Sequence, residues 1–254
     1  MFLLLREDTM KGLLDTYEST TLEALGNALL SREEFKFVLH QSALIDILQQ
    51  VRPHYQVLEV NGKRIHHYTT TYYDQDNQMY LDHHNGRANR YKIRVRGYEN
   101  GTHFLEVKEK TNKGKTVKKR YPTSLAAPFR NGEAEHVAKH SPYNVNKLAH
   151  TLNNAYDRIT LMSNDPLEKC TIDFNLEYTV DGQHIHMDDL VIIEIKQPKL
   201  TVNSPLYKAL KAAGIYPTPM SKYCTGRALA DHSLKQNRFK PLLGRIKTIT
   251  KSTH

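Results

Sequence analysis

The chain of 254 residues has no tryptophan, only two cysteines, no repeat and no Pro/Gly/Ser-rich tract. The missing tryptophan excludes nothing. Cys170 and Cys224 lack CxxC spacing, which excludes a disulfide framework and a cysteine-built zinc site and points to a reducing compartment, with the cytoplasm as the expected location. Without a linker or repeat, the expectation is a single domain over residues 1–254. The opening MFLLLREDTMKGLLD breaks its short apolar run at once with base and acid, so neither a signal peptide nor a membrane span is expected there. Asn100-Gly101-Thr102 matches a glycosylation sequon, a pattern common by chance.

What the chain has is positive charge. The net formal charge is +9, with 39% hydrophobic and 25% charged residues, a balance that permits ordinary folding and favours polyanionic partners. The candidates are nucleic acid, nucleotides, inorganic phosphate chains and anionic lipid.

Two helices are legible. Ala43, Leu44, Ile47, Leu48 and Val51 recur at helical spacing within 40–51. Ser204 as N-cap, Pro205 in the first turn and Gly214 as stop frame another. Residues 123–152 read as a helical insertion between strands, and the basic tail 235–254 as a solvated terminus.

The strands carry the functional signal, because alternation sends successive side chains to opposite faces. Over 31–39, Arg32, Glu34, Lys36 and Val38 oppose Glu33, Phe35, Phe37 and Leu39. Over 90–98, Lys92, Arg94 and Arg96 follow Arg90 on one face, against Tyr91, Ile93 and Val95. Glu106 and Lys108 precede a turn at 111–115, after which Lys118 and Arg120 continue the scheme as a hairpin partner. Lys169, Thr171, Asp173, Asn175 and Glu177 alternate with apolar residues, and Glu194 and Lys196 with Val191, Ile193 and Ile195. An antiparallel sheet with one solvated face explains any single strand. Several together would set like charges side by side, which is destabilising unless an anion lies between them. The expected fold is therefore α+β, a closed antiparallel β-barrel with its charged face inward and helices packed outside. Carboxylates on that face, Glu194 foremost with Glu34, Glu106, Asp173 and Glu177 behind it, are candidates for a hard divalent cation, Mg²⁺ or Mn²⁺.

The order REEFKF (32–37), YYD (72–74), HHNGRANRYKIRVRGY (83–98), FLEVKEK (104–110), VKKR (117–120), YDR (156–158), TIDFN (171–175), IIEIK (192–196) and SKYC (221–224) resembles the vacuolar transporter chaperone (VTC) polyphosphate polymerase domain of the triphosphate tunnel metalloenzyme superfamily. The resemblance covers about 32–227. It implies a tunnel binding ATP and inorganic polyphosphate or triphosphate, with metal-dependent transfer of a terminal phosphoryl group to a growing phosphate chain. In that scheme Lys36, Arg94, Arg96 and Lys222 hold and activate the triphosphate. Arg32, Lys92, Lys108, Lys118, Arg120, Tyr156, Arg158, Lys196 and Ser221 bind phosphate, with packing an equal alternative to phosphate contact for Tyr223. Glu194 matches the metal-binding glutamate.

The first strand reads Arg-x-Glu-x-Lys where the thiamine-triphosphatase and cyclase branch has Glu-x-Glu-x-Lys, which argues against those activities. No segment resembles the sensor domain or membrane anchor of the eukaryotic polymerases, so a membrane partner would have to be a separate protein. A triphosphatase using the same tunnel, with Glu34 or Glu106 as base or second metal ligand, is the nearest alternative; a non-catalytic polyphosphate-binding module is another. Nucleic acid is not expected, because the strand aromatics fall on the face opposite the charges. Gly114-Lys115-Thr116 lacks the rest of a phosphate loop and reads as a turn. His66 with His67, His83 with His84, and His184 and His186 with Asp188 and Asp189 read as ordinary loop residues rather than metal clusters.

Overall fold

The alternating segments all become strands. The computed structural model describes residues 2–25, 33–112, 116–124, 129–130 and 132–251; Arg32 and the predicted turn residues 113–115 lie outside them. The elements run α1 (Phe2–Asp15), β1 (Glu18–Thr20), α2 (Leu22–Leu25), β2 (Glu33–His40), α3 (Leu44–Val51), β3 (Gln56–Leu58), β4 (His66–Asp74), α4 (Gln78–Asn85) and β5 (Arg90–Tyr98). They continue with β6 (His103–Lys110), β7 (Thr116–Thr123), α5 (Gly132–His140), β8 (Ala149–Asn164), β9 (Leu167–Val180), β10 (Gln183–Met187), β11 (Leu190–Gln197), α6 (Pro205–Ala212), α7 (Lys222–Ala230) and α8 (Lys240–Lys251).

The architecture is α+β. One sheet runs β2-β11-β9-β8-β4-β5-β6-β7, with every neighbour antiparallel. Short β1, β3 and β10 attach to its side. The expected closed barrel is not made by hydrogen bonds: β2 and β7, the two ends, do not pair with each other. The free edge of β2 is already occupied, since the Thr218 amide donates to the Lys36 carbonyl at 2.7 Å and Arg245 Nη2 to the Val38 carbonyl at 3.2 Å.

The sheet is nevertheless strongly curled. In a flat sheet β2 and β5 would lie roughly 24 Å apart, five strand spacings. Here Lys36 reaches the Met220 carbonyl at 3.3 Å while Lys92 reaches the adjoining Ser221 hydroxyl at 2.9 Å.

The outer face is apolar, as alternation predicts. Phe37, Ile172, Ile193 and Ile195 pack beneath Leu14 of α1, Leu44, Ile47 and Leu48 of α3, and Leu206 and Leu210 of α6. Each such buried side chain contributes about 1.5–3 kcal/mol. Ile93, Val95, Leu105 and Val107 form a second outer cluster with Met79 and Val137, the latter from α5 within the predicted insertion.

Two expectations are corrected on the inner face. Not all helices lie outside: α7 and α8 pack on the charged face itself, where Val38, Leu152, Leu176, Tyr178 and Ile192 form an apolar end against Tyr223, Cys224, Leu242 and Ile246. The basic tail is accordingly a docked helix over 240–251, with Ile246 only 1% exposed. The alternation of β9 also breaks. Asn175 has φ 50°, and the β8–β9 register slips between Ala155 and Asp157, a bulge that places one extra residue on β9. Beyond it, Leu176 and Tyr178 turn inward and Glu177 turns outward, so Glu177 is not a member of the inner carboxylate set.

Candidate functional site

Register assembles the charged face row by row. Glu194 lies opposite Lys36 and Thr171; Asp173 opposite Arg158; Tyr156 opposite Tyr68; Tyr72 opposite Arg94; Arg94 opposite Glu106; and Glu106 opposite Arg120. Lys92, Lys108 and Lys118 stand directly opposite one another across β5, β6 and β7, a row of three cations with no carboxylate in it. Directly opposed like charges destabilise a sheet.

Three carboxylate centres organise the rest. Lys36 Nζ sits 3.1 Å from Glu34 and 3.2 Å from Glu194, and Lys196 Nζ is 2.7 Å from the other Glu194 oxygen and donates to Thr171 at 2.8 Å. Asp173, fully enclosed, accepts from Arg158 at 2.5 and 2.7 Å and from Lys222. Glu106, equally enclosed, accepts from Arg94 Nη2 at 2.6 Å and Arg120 at 3.0 Å, with Lys118 at 3.6 Å. Among the described residues, Lys36, Lys92, Arg94, Arg96, Lys108, Lys118, Arg120, Arg158, Lys196 and Lys222 thus share a face with Glu34, Glu106, Asp173 and Glu194, so cations exceed carboxylates there. The Nε of Arg96 is buried without a hydrogen-bond partner.

Protonation follows this imbalance. Burial alone would raise the carboxyl groups, but the cations override it. Arg158 and Lys222 bring Asp173 down to about 2, and Lys196 and Lys36 hold Glu194 well below the carboxylate range. Arg94 and Arg96 do the same to Glu106, and Lys36 lowers Glu34. The lysine row responds in the opposite sense. Burial and neighbouring cations push Lys108 well below the usual ammonium range and lower Lys92, while burial takes Lys118 down to about 8 against the pull of Glu106. Lys36 is raised, because Glu194 and Glu34 outweigh its burial.

The N-terminus of α7 enters this face through a cap network. Ser221 is the N-cap, accepting from the Cys224 amide at 3.3 Å. Asp74 holds α7 in place: its carboxylate accepts from Tyr223 Oη at 2.5 Å and from the amides of Gln75, Met79 and Tyr80, so one side chain anchors both α4 and α7. Tyr223, for which the sequence leaves packing an equal alternative to phosphate contact, is buried on Asp74 and stacked on Tyr72 at 5.1 Å.

Of the predicted residues, Lys36, Arg94, Arg96 and Lys222 share the inner face with Lys92, Lys108, Lys118, Arg120, Tyr156, Arg158, Lys196, Ser221 and the glutamates 34, 106 and 194. Arg32 lies outside the described residues. Glu34 and Glu194 offer hard oxygen donors on neighbouring strands that already bracket one positive charge, the Lys36 ammonium, a donor set that suits Mg²⁺ or Mn²⁺. The oxygens of Glu106 are taken by arginines.

The aromatics are a correction. Tyr68, Tyr72 and Tyr156 lie on the charged face, with Tyr68 and Tyr156 stacked at 5.6 Å, Arg96 5.6 Å and Arg158 5.1 Å over the Tyr68 ring, and Lys222 4.7 Å over that of Tyr156. Sequence reasoning missed Tyr68, although Tyr68, Thr70 and Tyr72 alternate in HHYTTTYYD and mark the strand. It also missed the Asp74 anchor, which pairs residues 149 positions apart. The paired histidines are not loop residues either. His66 and His67 lie on β4, and His83 and His84 on α4, where burial and the nearby Lys92 push His83 down to about 2.

The fold is shared with solved structures. The chain superposes on a candidate adenylate cyclase from Bacillus halodurans with a TM-score of 0.51 at 14% identity, covering 75% of this chain and 95% of that one. A candidate adenylyl cyclase from Hippeastrum, with a dominant triphosphatase activity, gives 0.48 at 14% identity over 78% and 95%. At such identities the likeness is one of fold. No curated protein matches the chain. The VTC domain family matches residues 31–230, and the chain belongs to that family.

Proposed function

We propose that the chain is a single tunnel domain acting as a metal-dependent polyphosphate polymerase, which transfers the terminal phosphoryl group of ATP to an inorganic polyphosphate chain. The observation that carries this reading is the Lys92–Lys108–Lys118 row, directly opposed lysines whose charged forms a multiply charged anion would favour. Membership of the VTC family adds to it.

Phosphoryl transfer needs in-line positioning and neutralised charge more than covalent chemistry. In the proposed site Arg94 and Arg96 fork onto phosphate oxygens, and Lys36 and Lys222 supply point charges where the migrating group's charge accumulates. Lys92, Lys108, Lys118, Arg120, Arg158, Lys196, Tyr156 and Ser221 line the path of the chain, and Arg32 adds to it. A terminal phosphate oxygen of the acceptor forms the new P–O bond while the bond to the bridging oxygen of ADP breaks. The acceptor is already anionic, so the step requires no proton transfer. Glu106 and Asp173 act as fixed counter-ions that orient Arg94 and Arg120, and Arg158 and Lys222. Glu194, with Glu34 beside it, would hold Mg²⁺ or Mn²⁺, whose chemistry is neutralisation of phosphate oxygens as a Lewis acid. Among the described residues no helix is long and apolar enough to cross a membrane.

The test is to incubate the purified protein with ATP and Mn²⁺ or Mg²⁺ and resolve the phosphate products on a gel. Long chains are expected, with Lys36→Ala and Glu194→Ala each reducing the rate about 10²–10³-fold. Free phosphate as the sole product would replace the polymerase by a triphosphatase. Tight, metal-independent polyphosphate binding without turnover would replace it by a binding module.

A further inference from the structure

On the outer face of the sheet, away from the cationic rows, β9 turns into β10 through Asp181-Gly182, with φ 49° and 79°. Two consecutive left-handed residues make the tight turn that matches strand twist and pins hairpin register. That register sets His184 opposite Thr179 and His186 opposite Glu177. Ile185 and Met187 face inward to the cluster containing Tyr178 and Val180, so the two imidazoles and the Glu177 carboxylate share the outward face. Their ligand atoms lie within 4.8 Å of one another. His184 Nδ1 is 2.6 Å from Glu177 Oε1, and the two imidazole rings are stacked 6.3 Å apart at 14°.

We propose that Glu177, His184 and His186 form a surface site for a divalent transition-metal ion of the zinc class, separate from the Glu34–Glu194 pair. Two neutral imidazoles and one carboxylate are a borderline donor set, which favours Zn²⁺, Ni²⁺ or Cu²⁺ over the hard cations that phosphate enzymes use. Tetrahedral bonds of 2.0–2.1 Å place neighbouring ligand atoms roughly 3.3 Å apart. The exposed side chains reach that spacing by rotamer adjustment, because the hairpin already fixes their backbones. The remaining coordination positions face solvent and take water.

The experiment titrates the full chain with Zn²⁺ by calorimetry at about neutral pH, and follows Co²⁺ by its visible absorption. Micromolar or tighter Zn²⁺ binding at one site is expected, weakened at least tenfold in His184→Ala/His186→Ala and unchanged in Glu194→Gln. Zn²⁺ should raise the thermal midpoint of the parent protein and not that of the double variant. Because both histidines are solvent-facing, circular dichroism of the variant should match the parent. Unchanged affinity in the double variant, an absence of Zn²⁺ binding by the parent, or loss of the site in Glu194→Gln would each overturn the assignment.

Discussion

One face of one sheet serves two solvents. At one end Val38, Leu152, Tyr178 and Ile192 lie sealed under α7 and α8. At the other, β5, β6 and β7 present opposed lysines. The sheet is continuous between the two, so backbone pairing does not distinguish them. The apolar end gains stability from its own contacts, whereas the charged end holds unreconciled repulsion that an anion would relieve. Stability resides in the first and binding in the second, and α7, which carries Lys222 at its start and Tyr223 within its first turn, joins them.

This contrast predicts that ligand rescues damage at one end only. The largest effect is expected for Asp173→Asn, which leaves Arg158 and Lys222 buried without their carboxylate. Urea denaturation should show a loss of about 3–5 kcal/mol, with part regained in polyphosphate, whose oxygens take the place of the carboxylate. Gly226→Ala strikes the apolar end. A Cβ there would meet Tyr178 Cδ1 at 2.5 Å, where α7 lies directly on β9. Overpacking should cost about 1–3 kcal/mol, and polyphosphate should restore none of it beyond the stabilisation it gives the parent.

Lys108→Met is expected to reverse the sign. Removing a buried amine whose charged form is disfavoured between Lys92 and Lys118 should stabilise the free protein by on the order of 1 kcal/mol, while weakening polyphosphate binding. A destabilised variant would mean that the lysine row is reconciled within the protein itself.

The smallest effect is a pH dependence. Lys118 titrates near about 8 in the folded protein and at 10.5 ordinarily, so between those values the unfolded chain binds more protons. Stability therefore gains from this group as pH rises across that window. Polyphosphate restores the ammonium, so its binding takes up a proton and its affinity falls as pH rises through about 8. Calorimetry in buffers of differing ionisation enthalpy would measure that uptake, and Lys118→Met should reduce it, leaving the share taken up at Lys92 and Lys108.

The face membership of Lys36, Arg94, Lys108 and Glu194 was legible because a period of two depends only on local backbone geometry. The same rule failed at Glu177, where the Asn175 bulge inverts it. It also missed Tyr68 as an inner-face aromatic, since no long run of alternating charge marks β4, and Tyr156 on β8 came from the family resemblance rather than from alternation. Helices α3 and α6 were legible from spacing and capping residues. That α8 would dock, and on which face, was not, because Leu242 and Ile246 find their partners on β2, β9 and β11, far away in the chain.

The sequence by itself determined β2, β5, β6, β7, β9 and β11, their charged and apolar sides as far as Asn175, the cation excess and the family. Only the tertiary structure decided that β2 and β7 do not pair with each other, that Thr218 and Arg245 occupy the β2 edge, that Asp74 anchors α7, and that two histidines and Glu177 converge outside. The physical reason is one of range. Alternation and capping act between residues a few positions apart, whereas edge pairing, helix docking and side-chain convergence depend on groups that meet only after the sheet has curled.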